Sequence, residues 1–175
     1  MSRNPAAEAV RSQLVAALHT LRDCISRCPD TEWHEKHGDY PFSQVVFHVL
    51  FDCDLILSKS EDDLKDQPFH KMHIREFGRY EELDGKTPSV FNSRDFMDLY
   101  WTHVREKTDK VLSSTVDSDI LKPDSDIYEC MTANERHINM IRHTQHHTAQ
   151  LGFRLQLMTG AEMEWIGRAA EVEST

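Results

Sequence analysis

Apolar residues recur every three or four positions in four long segments of this 175-residue chain. That spacing is typical of amphipathic α-helices, in which residues three and four apart share one face. The first segment runs from Pro5 to Arg27 and carries Val10, Leu14, Leu18, Leu21 and Ile25. Because no single helix can bury such a face alone, the pattern predicts that the four helices pack together as a bundle.

The other three segments run from Pro41 or Phe42 to about Lys59, from Ser93 to Ser113, and from Thr132 to Gly160. Thr132 and Glu135 predict a capping box at the start of the last helix, and Gly160 predicts its end. No run of alternating residues is long enough to require a sheet. The fold class is therefore all-α.

Two polar connections separate the predicted helices, one over residues 61–91 and one from Ser114 to about Cys130. The first contains Pro68, Pro88 and an Asp84-Gly85 turn signal. A connection this long in a small domain usually has a role, such as covering a site. The residues from Glu162 onward form a predicted tail, whose first part we expect to pack through Trp165 and Ile166.

Charge and cysteine content limit the classes of partner and compartment. Twenty basic and thirty acidic side chains give a net charge of −10, which disfavours nucleic acid and anionic membrane surfaces as partners. No apolar run approaches the roughly 20 residues that span a bilayer, and the N-terminus has no secretory signal pattern. Four cysteines are too few for a disulfide scaffold. We therefore expect a cytoplasmic protein, with Cys24 and Cys28 as buried thiols.

The eleven histidines include one pair with metal-ligand spacing. His143 and His147 are four residues apart on the last predicted helix, so both project from one face. The adjacent His146 is rotated by about 100° and points elsewhere. On its own, such a pair is equally consistent with two histidines that hydrogen-bond to neighbouring side chains.

His48 adds a third candidate ligand from a different helix. It lies within the apolar stretch Val45–Phe51, where an imidazole without partners would be costly. A metal shared with His143 and His147 would supply such a partner. Three imidazoles with open positions are typical of a catalytic metal site, and imidazole suits Zn, Ni or Fe.

Other metal-site patterns are absent from the sequence. The chain has no Glu-x-x-His, which a di-iron carboxylate bundle needs, and no His-Glu-x-x-His or Cys-x-x-Cys. Asp52 follows His48 by one helical turn. It is a candidate helper base or a partner that orients an imidazole, and pairing with a nearby Arg or Lys is the open alternative.

The remaining histidines receive structural predictions. We expect His103 to be a hydrogen-bonded helix histidine rather than a fourth ligand, and we expect His70 and His73 to be solvated in the long connection. We assign the other four to the surface: His19, His34, His37 and His137.

A histidine on the second helix followed by H-x-x-x-H-x-x-Q on the fourth resembles the DinB-like metalloenzyme superfamily. The matching residues are His48, His143, His147 and Gln150. The resemblance covers residues 1–167, leaving 168–175 as a C-terminal tail. It implies an up-and-down-type four-helix bundle with long crossover connections, one divalent metal on the three histidines, and a homodimer.

The same resemblance implies a metal-dependent transferase or hydrolase that activates a thiol or water. A small-molecule thiol would then be a cofactor, and the substrate would be a small molecule. The alternative is a non-catalytic metal-binding module with a stress-response or interaction role. The sequence leaves the roles of Asp52 and Gln150 open.

Overall fold

The computed structural model describes residues 5–115 and 131–173. Its helices are α1 (Pro5–Arg27), α2 (Phe42–Ile56), α3 (Glu61–Asp66), α4 (Pro68–Met72), α5 (Arg94–Ser114), α6 (Ala133–Thr159) and α7 (Ala170–Glu173). Two 3₁₀ segments, Asp30–Glu32 and Gly78–Asp84, and two strands, β1 (Lys36–His37) and β2 (Tyr40–Pro41), complete the described elements. The protein is thus mostly helical, as its apolar spacing predicts.

Each of the four long helices packs against two of the others. Helix α1 contacts α5 and α6, and helix α2 contacts the same two helices. The apolar faces meet in one core, whose fully buried members include Leu14, Leu18, Leu50, Tyr100, Met140 and Leu151. Helix α2 is mostly apolar and is buried on most sides, including at the polar residues Ser43, Gln44 and Asp54.

The helix ends follow their local sequence signals. The Thr132 side chain accepts from the Glu135 backbone, and the Glu135 carboxylate accepts from the Thr132 backbone, so the predicted capping box is confirmed. Gly160 ends α6 in the left-handed conformation. Helix α2 ends at Ile56, three residues before the predicted limit at Lys59.

The predicted connections are only partly irregular. Residues 61–91 contain α3, α4 and a 3₁₀ segment, because Ser60 caps α3 and Pro68 begins α4. Strands β1 and β2 pair as a two-residue hairpin around Gly38, too short to produce an alternating pattern. The second polar stretch, predicted over Ser114 to about Cys130, lies outside the described residues from position 116 onward.

The cysteines behave as the sequence predicts. Cys24, Cys28 and Cys53 are free and buried, and Cys130 lies outside the described residues. Burial raises the pKa of Cys24 to about 12 and that of Cys28 to about 11. Both thiols are therefore protonated at neutral pH, which makes them poor nucleophiles.

The C-terminal segment packs along α1. Ile166 and Ala169 are buried, and Glu173 pairs with Arg11 on α1 and Arg105 on α5. The expectation for Trp165 is wrong, since its side chain is 67% exposed. Of Trp165 and Ile166, only Ile166 is buried and anchors the start of the C-terminal segment.

Within the two described ranges, no helix has the length and hydropathy needed to cross a bilayer.

The capping box predicts a measurable contribution to stability. Thr132→Ala removes the acceptor for the Glu135 N–H and should lower the free energy of unfolding by about 1 kcal/mol, measured by urea titration. Thr102→Ala is the matched control, because Thr102 is exposed and bonds only within its own helix; its change should stay within about 0.5 kcal/mol. Equal losses in the two variants would contradict the capping role.

Candidate metal centre

Helix α2 contributes His48 and Asp52 to the candidate site. From Phe42 to Asp54 every residue is buried except His48 and Asp52, which are only partly exposed. The two lie four residues apart, so they occupy one narrow strip of the helix. The rest of the helix surface from Phe42 to Asp54 is buried, so this strip is the polar side that remains open.

Helix α6 contributes His143 and His147, which lie at the border of its buried face. Its buried stripe includes Met140, Thr144, Thr148, Leu151 and Leu155. His143 and His147 each precede a buried threonine of that stripe and are rotated about 100° away from it. They therefore lie where α6 meets α2, half in the core and half at the surface.

The three predicted histidines converge at this edge. His48 Nε2 and His143 Nε2 are 3.0 Å apart, and the His147 ring centre lies 4.9 Å from that of His48 and 4.6 Å from that of His143. One ring nitrogen from each residue lies within 4.8 Å of the other two. The rings are nearly perpendicular to one another, so no pair of them is stacked face to face.

The opposite nitrogen of each ring faces an oxygen acceptor. His48 Nδ1 lies 3.2 Å from Glu82 Oε2, and His147 Nδ1 lies 2.8 Å from Gln150 Oε1. His143 Nδ1 lies 3.1 Å from Asp52 Oδ2, although its N–H does not point along a hydrogen bond. Acceptors at Nδ1 favour the Nδ1–H tautomer, which leaves each Nε2 with a lone pair.

The pKa values of two rings shift in opposite directions. Burial lowers the pKa of His147 to about 4, so this imidazole is neutral at physiological pH. Burial also lowers the pKa of His48, but the hydrogen bond and charge of Glu82 outweigh that effect and raise it overall. The His48 side chain is 39% exposed. His48 is thus only partly buried, and its contacts with Glu82 and His143 distinguish it.

This donor set fits a divalent transition metal. Metal–nitrogen bonds of about 2.0–2.1 Å place two ligand nitrogens about 2.9–3.4 Å apart in octahedral or tetrahedral geometry. The 3.0 Å separation of His48 Nε2 and His143 Nε2 lies in that range. Oxygen acceptors behind each imidazole are the usual outer partners of metal-bound histidines. Ligation itself stays a prediction.

Comparisons of this chain with family models, curated proteins and solved structures find no match.

The neighbouring predicted residues occupy distinct places. His146 is exposed and lies 3.3 Å from Gln150 Nε2, outside the converging group, as its helical phase predicts. Gln150 links His146 and His147. Glu82 is the partner that sequence reasoning missed, since it lies 34 residues from His48 in a polar segment without a distinguishing pattern.

A second polar cluster lies on the buried side of α2. Asp54 is fully buried and lies 2.8 Å from His70 Nε2, while His103 Nε2 lies 3.6 Å from Asp54 and 3.0 Å from Gln67 Oε1. These three ionisable side chains form another grouping with metal-ligand geometry. The prediction that His103 is a hydrogen-bonded helix histidine is confirmed.

A lysine occupies the cation position in this second cluster. Lys107 Nζ lies 2.5 Å from Asp54 Oδ1 and 2.6 Å from Ser58 Oγ. Burial raises the pKa of Asp54, but hydrogen bonds with His103 and His70 and the Lys107 charge outweigh it and hold that pKa well below its usual range. With the carboxylate already neutralised by an ammonium, a divalent ion would add uncompensated positive charge.

The second cluster fixes the segment that carries Glu82. His70 Nδ1 lies 3.3 Å from Tyr80 Oη, and the His70 ring stacks on Phe77 with 3.8 Å between ring centres. Tyr80 and its neighbour Arg79 adopt left-handed backbone conformations, which cost about 1–2 kcal/mol per residue. These contacts offset that cost and place the 3₁₀ segment Gly78–Asp84 beside His48.

The prediction of a solvated His70 is wrong, and so is the assignment of His137 to the surface. His70 is fully buried and His137 is 4% exposed. The partner of His70 is Asp54, a carboxylate inside an apolar helix, and that unusual placement was the available signal. His19 packs edge-on against Trp101, and the His73 ring lies tilted against Phe69 with 4.7 Å between ring centres. His34 and His37 are exposed as predicted.

Removing the buried carboxylate should destabilise the fold. Asp54→Asn leaves the Lys107 ammonium buried without its counter-charge, which costs about 3–5 kcal/mol. Urea titration at pH 7 measures this loss. Asp66→Asn is the control, because that carboxylate is exposed, and its effect should be within about 0.5 kcal/mol.

The same pair predicts a pH dependence. The folded-state pKa of Asp54 is depressed, so its stabilisation is full above the unfolded pKa of about 3.9 and is lost as the pH falls below it. The stability difference between wild type and Asp54→Asn should therefore shrink between about pH 5 and pH 2. A difference that is constant over this range would contradict an ionised Asp54.

Proposed function

We propose that this protein is a DinB-like metalloprotein in which His48, His143 and His147 bind one divalent transition metal, such as Zn, Ni or Fe. In this proposal the protein is an enzyme that acts on a small-molecule substrate by activating a thiol or water for transfer or hydrolysis. A small-molecule thiol is its candidate cofactor. We further propose that it acts in the cytoplasm as a homodimer.

One observation carries the metal site. Each of the three rings directs one nitrogen toward the other two rings and has an oxygen acceptor, on Glu82, Asp52 or Gln150, near its opposite nitrogen. Two Nε2 lone pairs facing each other at 3.0 Å repel unless a cation or a proton lies between them. A metal satisfies all three rings at once.

The helix contacts support the bundle topology in this proposal. Helices α1 and α2 each contact both α5 and α6, as in a four-helix ring in which α1 and α2 stand diagonally. Consecutive helices on a diagonal need connections that cross the bundle. Such a diagonal step occurs from α1 to α2, through the connection over residues 28–41. The longer segment between α2 and α5 joins two helices that contact each other, and it carries Glu82.

In this proposal the metal would activate the nucleophile, and the surrounding side chains would orient the metal ligands. A bound divalent metal would lower the pKa of a coordinated water or thiol and so supply a nucleophile near neutral pH. Glu82 and Gln150 would hold His48 and His147 in their ligating orientations. Asp52 lies nearest His143, which favours an orienting role; because it also lines a small surface depression with His48 and Glu82, the helper-base role stays a second prediction.

The second candidate is a non-catalytic metal-binding module that associates with itself or a partner. The outer face of α6 favours it, since Phe153 is 61% exposed and Leu157 72% exposed. These residues follow His146 and Gln150 at helical spacing, so they form one exposed stripe beside the site. Such a stripe would suit association.

Metal content tests the ligand set. Elemental analysis after dialysis should find about one metal per wild-type chain and a loss of most of it in His48→Ala, His143→Ala and His147→Ala. His146→Ala is the matched control, because this adjacent histidine is exposed and lies outside the converging group; it should keep its metal. Equal metal content in all five proteins would overturn the three-histidine site.

Activity separates the two candidate functions. The metal-loaded wild type is assayed with thiol-plus-electrophile and ester panels, with His147→Ala as the inactive control and His146→Ala as the active one. The enzyme proposal predicts turnover that His147→Ala lowers by at least about a hundredfold. Metal-loaded protein without turnover in either panel for Zn, Ni and Fe would favour the non-catalytic module.

A further inference from the structure

A pocket of about 430 Å³ opens beside the three-histidine group. His48, Glu82 and His147 form part of its wall, and further residues of α2, α6, the β1–β2 hairpin and the segment from Gly85 to Pro88 complete it. Its volume is in the range of small-molecule sites. A ligand in this pocket would therefore have one end at the histidines.

Arg154 lies in the same wall, displaced along α6. It follows His147 by seven residues, which is about 10.5 Å along the helix and only about 20° short of two full turns. The two side chains thus project from one face of the helix into one pocket. A guanidinium stands about two helical turns from the group proposed to hold the metal.

Arg154 forms no ion pair with another described residue. Its Nη1 donates to the Tyr40 carbonyl at 2.8 Å. Asp39 acts on it only as a more distant charge, and the described residues place no carboxylate within ion-pair distance. Burial lowers the pKa of Arg154, which reflects the cost of removing an unpaired cation from water. An anion at this position would relieve that cost.

Lys86, which also lines the pocket, differs from Arg154 because its charge is compensated. Lys86 is 66% exposed and its ammonium pairs with Asp84 at 2.9 Å. Solvent and Asp84 therefore already compensate its charge. Arg154 is the partly buried guanidinium with donors to spare, and a planar fork of N–H groups suits carboxylate and phosphate oxygens.

We propose that the pocket binds a small molecule with an anionic group, a carboxylate or a phosphate, that pairs with Arg154 while its other end reaches the three-histidine group. The part of this inference that concerns the histidine end rests on the proposed metal function. Arg154 acts in it as a specificity residue that selects charged over neutral ligands and fixes their orientation.

Hydroxamates test the inference in the Zn-loaded protein, because a hydroxamate chelates metals without further chemistry. Calorimetry compares succinate monohydroxamate, its neutral amide and phosphonoacetohydroxamate. We expect at least one anionic compound to bind wild type about tenfold more tightly than the amide, the gain of one charge-assisted pair. Arg154→Met should abolish that preference, Arg154→Lys should retain part of it, and the exposed Arg142→Met should leave it unchanged. The preferred anion identifies carboxylate or phosphate as the better partner.

A second measurement does not depend on metal. In the metal-free protein, ¹⁵N NMR follows the Arg154 Nε–H resonance, assigned by its absence in Arg154→Met, during titration with succinate or inorganic phosphate at constant ionic strength. A saturable shift supports the anion site, and its absence with both anions overturns the inference. An anion preference that persists in Arg154→Met also overturns it. Failure of every hydroxamate to bind the Zn-loaded protein would count against the open metal site, while the NMR result would still decide the anion site.

Discussion

The site depends on a narrow seam where two otherwise buried helix faces meet. On α2 only His48 and Asp52 interrupt the buried run from Phe42 to Asp54, and on α6 His143 and His147 border the buried stripe. Apolar packing on both sides fixes the two backbones, so the imidazoles are held by the core without being enclosed in it. A seam of this kind leaves one side open to a ligand, which a site in the middle of the core would not.

The buried carboxylate of Asp54, also on α2, fixes the position of the segment that carries Glu82. Asp54 cannot remain ionised without donors, and it obtains them from α4 and α5 through His70 and Lys107. Tyr80 joins His70, and two residues later Glu82 contacts His48. The carboxylate that stabilises the fold therefore also determines where the orienting carboxylate of the proposed metal centre lies.

The sequence predicted those features that depend on local periodicity. Helical phase placed His143 and His147 on one face and removed His146, and the Thr132–Glu135 spacing predicted the start of α6. The sequence could not predict contacts between distant segments, such as that of Glu82 with His48, because a carboxylate in a polar segment has no local signal. His70 was misassigned for the same reason, since its burial depends on Asp54 rather than on its own neighbours. Asp54 itself was recognisable as a charge in an apolar helix.

Anomalous diffraction from crystals grown with Zn²⁺ tests the central claim most directly, since it locates the ion without reference to activity. The account predicts one strong peak about 2.1 Å from a ring nitrogen of His48, His143 and His147, and no peak at Asp54, His70 and His103, where Lys107 already supplies the cation. A peak at that second cluster, or density that shows the three imidazoles bonded only to each other, would contradict it.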